Sequence, residues 1–222
     1  MLNSKELTTS FLIADLAGYT SLTEAHGDLL AANLVYRYKE IVEEILRGDT
    51  VLVDSVGDEV LITSTNPGNL LELAIDLLQK TEDEPNFPSL HIGLNFGKVI
   101  EMGGHYFGNT LNLTSRISSH SRGGQILCSE VFVNAVENKV NYDFIKLGNI
   151  RFKNVSKPIA ILKINLNFDR KRLSIDPVCK MQVDIENPPV KIPFKDNIYY
   201  FCSYECTKSF IEAPEEFMGI ET

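Results

Sequence analysis

The first three quarters of the chain alternate short apolar runs with longer amphipathic segments. Runs of β-forming residues predict strands at 10–15, on both sides of Gly57-Asp58 within 51–62, and at 90–102, 125–129, 144–147 and 159–164. Apolar residues at intervals of three and four predict helices over 27–47, 69–80, 109–119 and 130–137. Strands and helices do not follow a strict βαβ order, and two hairpins are evident. The pattern therefore favours an α+β sheet with helices packed against it over a doubly wound parallel fold.

Two strands of this pattern end in an aspartate. Asp15 closes the first apolar run, and Asp58 occupies the two-residue turn of the hairpin. An aspartate in a turn is common because its side chain tolerates turn geometry, so Asp58 alone indicates little. If the two strands are neighbours, however, both carboxylates lie at one edge of the sheet, beside the small-residue loop 16–20. Two carboxylates next to free backbone N–H groups suit divalent cations that carry a triphosphate.

The segment that follows provides a second group of polar candidates. Gly93 and Gly97 interrupt a long strand, where glycine often marks a bend or the close approach of another group. The next helix carries Asn112 and Arg116 four residues apart. Because that spacing places two side chains on one helix face, both can contact the same ligand.

Composition limits the classes of partner. Of 222 residues, 44% are hydrophobic and 23% are charged, as in an ordinary globular protein. The net charge of −9 argues against non-specific binding to nucleic acid and against adhesion to anionic membranes. No apolar run approaches the roughly 20 residues of a membrane span, and the polar N-terminus is unlike a signal peptide. We therefore expect a cytoplasmic protein whose partners include neither nucleic acid nor a membrane.

The chain changes in composition near residue 166. The stretch 166–173 is charged and contains the basic cluster Arg170-Lys171-Arg172. Its simplest interpretation is a solvated linker. The length of the chain allows one large domain and a small one, which we place at 5–165 and 174–222.

Six short blocks, in order, resemble the catalytic domain of class III nucleotide cyclases. These blocks are 11–20, 56–59, 104–108, 112–116, 123–129 and 147–158. The resemblance covers about residues 8–164. It implies a ferredoxin-like α+β sheet and a homodimer with active sites at the interface.

The resemblance also implies a reaction, the conversion of ATP or GTP into a 3′,5′-cyclic nucleotide and pyrophosphate. The ribose 3′-OH attacks the α-phosphate, and two Mg²⁺ or Mn²⁺ ions activate the nucleophile and offset the triphosphate charge. Asp15 and Asp58 match the metal-binding carboxylates, with the backbone of Leu16 as a further ligand. Asn112 matches the residue that orients the ribose. Arg116 matches the residue that stabilises charge on the α-phosphate.

Phosphate contacts follow from the same resemblance. The backbone of Gly18, Tyr19 and Thr20 matches the loop that cradles the phosphates, and Lys153 matches a phosphate-contacting lysine.

The alternative to an enzyme is a catalytically degenerate dimer that keeps the cyclase fold as a nucleotide- or metal-binding signalling module. The complete catalytic set favours the enzyme, because a binding module has no need for groups that act in the transition state.

Two positions depart from the adenylate cyclase pattern. Asp54 stands where adenylate cyclases carry a base-reading lysine, and His105 stands where they carry an aspartate or a threonine. Guanylate cyclases use an acidic residue at the first position, which accepts hydrogen bonds from guanine. Strand alternation predicts Leu52, Asp54 and Val56 on one face, and His105 could donate to guanine O6. The choice between ATP and GTP stays open, as does a weak, promiscuous or silent domain.

The tail resembles a YHS domain, a small module related to treble-clef metal-binding folds. The residues that carry the resemblance are 176–181, 199–206, Phe210 and 214–217. A unit this short has little hydrophobic core of its own. A bound metal would therefore help it to fold.

Three of the four cysteines in the chain, Cys179, Cys202 and Cys206, lie in this tail. In a reducing compartment such clustering indicates metal ligation more readily than disulfides, and soft thiolates favour zinc or Cu(I). The tail contains no histidine. The fourth ligand therefore stays open: Asp176, Met181, a water molecule or a second chain could supply it. Burial of the cysteines as small apolar side chains is the alternative.

Overall fold

The computed structural model describes residues 4–136, 142–166 and 173–218. Its elements up to the long central strand are β1 (Ser4–Leu16), α1 (Tyr19–His26), α2 (Asp28–Ile45), β2 (Val51–Val56), β3 (Glu59–Ser64), α3 (Pro67–Asp83) and β4 (Leu90–Met102). They are followed by β5 (His105–Phe107), α4 (Asn109–His120), β6 (Gln125–Ser129), α5 (Glu130–Ala135), β7 (Asp143–Ile150) and β8 (Ile159–Asn165). The last elements are β9 (Leu173–Ile175), β10 (Gln182–Asp184), β11 (Val190–Phe194), β12 (Asn197–Phe201), α6 (Tyr204–Glu212) and α7 (Pro214–Phe217).

The chain forms two compact units, each assembled from separate segments. The first comprises Met1–Asp15, Ile41–Gln79 and Leu90–Phe168, and the second comprises Leu16–Glu40, Lys80–Ser89 and Asp169–Thr222. Among the described residues, no helix is long and apolar enough to cross a membrane.

One mixed sheet organises the first unit. Its strand order is β2-β3-β1-β4-β6-β8-β7, with β5 paired to the end of β4. Strands β4 and β6 are parallel, whereas β3 pairs antiparallel with both β1 and β2, and β8 pairs antiparallel with both β6 and β7. The predicted α+β class is confirmed, because hairpins and one parallel pair coexist in the same sheet.

Helix α4 lies directly against β4, and Gly93 makes this close approach possible. A Cβ atom added to Gly93 would lie 2.8 Å from the carbonyl oxygen of Thr114 and closer still to the backbone nitrogen of Ser118. Gly97 has a similar role, because a Cβ there would lie 2.7 Å from Oγ1 of Thr110. The two glycines in the predicted strand therefore mark close packing of the helix that carries the polar candidates.

The sequence pattern did not predict one short helix or the irregularity of one strand. The predicted loop 16–20 gives way at Tyr19 to α1, whose eight residues are too few to show a clear apolar stripe. Strand β2 carries a bulge between Leu52 and Asp54, because Leu52 pairs with Ile62 and Asp54 pairs with Leu61. The extra residue reverses the alternation, so the prediction of Leu52 on the same face as Asp54 is wrong.

Two other predictions reach beyond the described residues. Helix α5 ends at Ala135, and residue 137 of the predicted helix lies outside those residues. Most of the predicted linker, 167–172, also lies outside them. The domain boundaries at 165 and 174 stay predictions.

The second unit has its own hydrophobic core. The buried side chains of this core are Leu22, Ala31, Val178, Cys179, Met181, Phe201, Cys206 and Phe210. Leu22 lies on α1 and Ala31 on α2, whereas the others belong to the tail. The tail also bonds to the loop before β4, because the backbone N–H of Gln182 donates to the carbonyl oxygen of Phe87 over 3.0 Å. Two early helices thus complete a core that the tail alone would have too few residues to form.

We expect Gly93→Ala to destabilise the protein by about 1–3 kcal/mol, because the new methyl group would push the backbone of α4 away from β4. Urea unfolding monitored by circular dichroism would measure the change. Gly68→Ala is the matched control, since Gly68 lies in the first turn of α3 and its added Cβ would meet only the Oδ1 atom of Asn66, at 3.1 Å. An equal loss in both variants would contradict the close-packing explanation.

Candidate active site and candidate metal centre

The pairing of β1 with β3 places two predicted carboxylates at the same edge of the sheet. Ala14 pairs with Val60, so Asp15 continues the strand beside Glu59, the neighbour of Asp58 in sequence. Gly57 adopts a φ of 60°, which closes the two-residue turn that contains Asp58. The expected neighbouring of the two aspartate-bearing segments is therefore confirmed.

Negative charge accumulates at this edge. The pKa of the Glu59 carboxyl is raised, first by burial and then by the charges of Asp15, Asp58 and Asp54. Asp15 is half-buried, and its Oδ1 finds no hydrogen-bond partner among the described residues. The same oxygen lies 3.4 Å from Nδ1 of His91, an ion pair only when that histidine is protonated. Carboxylate oxygens are the ligands that Mg²⁺ and Mn²⁺ prefer, so the donor set fits a divalent cation.

A cavity of about 180 Å³ lies between the β2–β3 hairpin and α4. Its lining residues are Ile13, Asp54, Val56, Glu59, Leu61, Leu111, Asn112 and Ser115. The walls are mostly apolar, and polar groups occur at a few positions, as is common in sites for small molecules. The structure therefore brings the predicted base-reading residue Asp54 to the same cavity as the predicted ribose-orienting residue Asn112.

A larger groove of about 770 Å³ lies between α4 and the loop that joins β7 and β8. Asn112 and Arg116 line it from the helix, and Lys153 lines it from the loop. Arg116 and Lys153 are both exposed, so their charges are available to an anionic ligand. Asn112 and Ser115 line both cavities, so α4 borders the two at once.

Several predicted site residues lie elsewhere. His105 is exposed at the turn between β4 and β5, where it pairs with Met102, and it is not among the lining residues of either cavity. Gly18 precedes α1 with a φ of 72°, and Tyr19 and Thr20 form the first turn of that helix, all in the second unit. The roles predicted for these residues stay predictions.

A cluster of soft ligands forms a second candidate site within the second unit. It consists of His26, Cys179, Cys202 and Cys206, whose ligand atoms all lie within 4.8 Å of one another. The Sγ atom of Cys202 lies 3.4 Å from that of Cys179 and 3.7 Å from that of Cys206. Nε2 of His26 lies 3.5 Å from the sulfur of Cys202 and 3.4 Å from that of Cys206. None of the four cysteines of the chain forms a disulfide.

The backbone around the cluster is held by a buried carboxylate. Asp176 is fully buried and accepts hydrogen bonds from the backbone N–H groups of Val178 and Cys202, both at 2.8 Å. It therefore joins the two cysteine-bearing loops. Ser203 caps α6 by accepting from the backbone N–H of Cys206, so the last cysteine lies in the first turn of that helix. Asp176, one of the open candidates for a fourth ligand, uses both carboxylate oxygens for this purpose.

Hydrogen bonding within the cluster shifts the thiol pKa values of Cys179 and Cys206 in opposite directions. Hydrogen bonds from the thiols of Cys179 and Cys202 lower the pKa of Cys206, because they stabilise its thiolate. The same bonding, together with burial, raises the pKa of Cys179. Thiolates are the form that binds metal ions.

His26 is a candidate ligand that no sequence pattern indicates. It lies more than 150 residues before the nearest of the three cysteines, so no local spacing connects it with them. The only sequence signal is the shortage of ligands in the tail, which indicated a missing donor but not its position. Tertiary packing of α1 against the tail decides which histidine fills it.

Comparisons with known proteins cover both parts of the chain. The family model of the adenylate and guanylate cyclase catalytic domain matches residues 3–164, and the family model of the YHS domain matches residues 174–221. An uncharacterised protein of Mycobacterium tuberculosis is 31% identical over 127 residues, which cover 57% of this chain and 34% of that protein. An adenylate cyclase of Streptomyces griseus is 31% identical over 120 residues, 54% of this chain and 30% of its own length. The chain thus spans about a third of the length of these relatives.

A solved structure shares the fold. Adenylate cyclases from Trypanosoma brucei, solved in their monomeric state, superpose with a TM-score of 0.66 at 19% identity, over 73% of this chain and 92% of that one. This likeness supports the architecture of the sheet and its helices.

We expect Mn²⁺ to stabilise the wild type against thermal unfolding and to have no such effect on the Asp15→Asn variant. At a Mn²⁺ concentration about 100 times the Kd, the melting temperature of the wild type should rise by roughly 5–10 °C. Without divalent cations the variant should be at least as stable as the wild type near neutral pH, because one repulsive charge is gone. Differential scanning fluorimetry with and without Mn²⁺ would measure both effects.

Asp15→Asn should also change how stability depends on pH. Because the pKa of Glu59 is raised, the folded protein binds the proton of this carboxyl group more tightly than the unfolded chain does. Without metal, the free energy of unfolding should therefore fall as pH rises from the ordinary pKa of glutamate to the raised pKa of Glu59. Asp15→Asn should weaken that fall. Glu43→Gln, on the exposed face of α2, removes a charge elsewhere and should leave both the pH profile and the Mn²⁺ response unchanged. A normal Mn²⁺ shift in Asp15→Asn would rule out the carboxylate site.

Proposed function

Because the chain belongs to the adenylate and guanylate cyclase catalytic-domain family and continues into a YHS domain, we propose that it converts ATP or GTP into a 3′,5′-cyclic nucleotide and pyrophosphate. The observation that carries this proposal is the placement of Asn112, Arg116 and Lys153 in one groove. A degenerate binding module would not require an arginine and an asparagine positioned to act on a reacting phosphate and its ribose.

Each group has a separate task in the proposed reaction. The carboxylates of Asp15 and Asp58, aided by the backbone of Leu16, would hold two Mg²⁺ or Mn²⁺ ions. Such ions would supply Lewis-acid chemistry for the 3′-OH and positive charge for the triphosphate. Asn112 orients the ribose so that its 3′-oxygen faces the α-phosphate. Arg116 offers a planar set of N–H donors to the charge that develops there.

Phosphate binding is assigned to two further elements. Lys153 lines the same groove as Arg116, so its charge can contact the triphosphate while Arg116 serves the reacting phosphate. The backbone N–H groups of Gly18, Tyr19 and Thr20 are proposed to contact phosphate oxygens. The support for this second assignment is the left-handed φ of Gly18, which turns the chain into α1.

We further propose a homodimer in which each active site combines residues of two chains. Within the first unit, the lining residues of the two cavities on α4 include neither Asp15 nor Asp58. A partner chain would supply the metal carboxylates to the groove of the first chain. Exposed apolar side chains support such an interface, because Val56 is 69% exposed and Phe107 is 49% exposed.

For the base, we propose that Asp54 favours guanine. It lines the cavity shared with Asn112, where a base attached to the ribose would lie. A carboxylate accepts from guanine N1–H and from the 2-amino group, whereas adenine N1 is itself an acceptor. The cavity supports Asp54 alone as the base-reading group, because His105 is not among its lining residues.

Purified protein with Mn²⁺ and either nucleotide should form a cyclic product, measured by liquid chromatography. Asp58→Ala and Arg116→Ala should each lower turnover on the order of a thousandfold, because each removes an electrostatic group of the transition state. Mixed in equal amounts, the two inactive variants should recover about a quarter of wild-type activity, since half of the dimers are mixed and each mixed dimer has one intact site. No recovery at any mixing ratio would contradict the shared site, and wild-type protein without product would favour the non-catalytic module.

The wild type should prefer GTP over ATP by about 10–100-fold, because adenine bound in the cavity that Asp54 lines would leave this carboxylate unpaired. Asp54→Lys should reverse that order, and adding His105→Asp tests whether the exposed loop contributes. The ratio of kcat/KM values for the two nucleotides is the measurement. Equal use of both nucleotides by the wild type, with a ratio unmoved in the double variant, would show that Asp54 does not read the base.

A further inference from the structure

Four ligands from two distant parts of the chain meet in the arrangement that a tetrahedral metal ion requires. With Zn–S bonds of about 2.3 Å and a Zn–N bond of about 2.0 Å, tetrahedral angles place two sulfurs about 3.8 Å apart and a sulfur and a nitrogen about 3.5 Å apart. The Cys202–Cys206 sulfurs are 3.7 Å apart, and the two distances from His26 Nε2 to these sulfurs are 3.5 and 3.4 Å. Cys202, Cys206 and His26 thus already have the spacing of ligands around a bound zinc ion. The sulfurs of Cys179 and Cys202, 3.4 Å apart, would have to separate by a few tenths of an ångström.

Burial and support distinguish this cluster from a chance grouping. Cys179 is fully buried and Cys206 is 1% exposed. Asp176 holds the backbone of both cysteine loops, so the sulfurs are placed before an ion arrives. Three thiolates and one imidazole complete four coordination positions and leave none for a substrate, as in structural zinc sites.

The fourth ligand joins the site to the first helix of the chain. His26 is the last residue of α1, and the helix begins directly after Gly18. Its eight residues span about 12 Å, so a metal ion bound at one end fixes an element whose other end is the proposed phosphate loop. Leu22, in the middle of α1, lies in the same hydrophobic cluster as Cys179 and Cys206.

A second contact connects the loop with the tail. A Cβ added to Gly18 would overlap the side chain of Lys180, the residue that follows the ligand Cys179. The ammonium of Lys180 in turn donates to the carbonyl oxygen of Pro177 over 2.6 Å. Lys180 thus packs across the glycine at the start of α1, so both ends of the helix depend on the conformation of the cysteine-bearing loop.

We propose that His26, Cys179, Cys202 and Cys206 bind one Zn²⁺ ion that holds α1 to the tail, so that zinc occupancy stabilises the Gly18–Thr20 loop and thereby controls nucleotide turnover. A structural zinc ion contributes its binding free energy to folding of the segments that supply its ligands. Here those segments include α1, which belongs to the cyclase-matched part of the chain, and the loops of the YHS-matched tail. The effect on turnover rests on the proposed cyclase function, whereas the site itself does not.

The full chain, its His26→Gln variant and its Cys202→Ser variant, each loaded with zinc and then desalted, test the site. The wild type should retain one zinc per chain by mass spectrometry of the metal. With Co²⁺ in place of zinc it should show the intense visible absorption of a tetrahedral thiolate complex. His26→Gln should weaken zinc binding at least about tenfold and alter the Co²⁺ spectrum, and Cys202→Ser should weaken it further. His120→Gln, which changes an exposed histidine at the end of α4, is the matched control and should behave as the wild type.

Hydrogen–deuterium exchange locates the effect. Zinc should slow exchange in peptides covering residues 16–27 of the wild type, and His26→Gln should lose this protection even where its three cysteines still hold metal. Turnover in excess Mn²⁺ should fall in His26→Gln but not in His120→Gln. If the wild type forms no cyclic product, the cyclase proposal fails while metal content and exchange still decide the zinc site.

Three results would overturn the inference. Unchanged zinc affinity and an unchanged Co²⁺ spectrum in His26→Gln would remove His26 from the site. A wild type without zinc whose mass is lower by two hydrogens would show a disulfide between two of the cysteines instead. Zinc binding with no change in exchange across 16–27 would leave a metal site that does not control α1.

Discussion

Repulsion among carboxylates is the constraint on which the proposed active site depends. The pairing of β1 with β3 brings Asp15 beside Glu59, and the tight turn at Gly57 adds Asp58. The pKa of Glu59 is raised first by partial desolvation at this edge and then by the charges of Asp15, Asp58 and Asp54. A divalent cation at this edge would relieve the repulsion, as the proposed function requires. The strand pairing brings the carboxylates to this edge without any ligand.

Close backbone packing positions the second half of that site. Because Gly93 lacks a side chain, α4 lies against β4. From this helix Asn112 lines both cavities, and Arg116 lines the larger groove. A rigid sheet beneath the helix keeps these side chains at a fixed spacing, which electrostatic catalysis requires. In the proposed function, this one helix contacts the base and ribose through the smaller cavity and the phosphates through the larger groove.

The second unit illustrates how a short module obtains a core. The tail supplies two small hairpin-like sheets and α6, and it buries Phe201 and Phe210 against Leu22 of α1 and Ala31 of α2. A core of this size is marginal, so a metal ion bound by the proposed cluster, whose Cys179 and Cys206 belong to this core, would contribute more to its stability than in a larger domain. Folding of the tail and placement of α1 are for this reason parts of one process.

Much of the fold and of the candidate active site could be predicted from the amino-acid sequence. Periodicity indicated the α+β class and the strand 125–129, the Gly57-Asp58 turn indicated the hairpin, and six ordered blocks indicated the family. These features are local, so nearby residues specify them. The bulge at Leu52 and the eight-residue helix α1 escaped because they are too short to have a period. Three features follow only from the packing of the folded chain: Asp54 shares a cavity with Asn112, His105 does not line that cavity, and His26 lies beside the three cysteines. The sequence could not indicate them, because contacts between residues far apart in the chain produce no regular spacing.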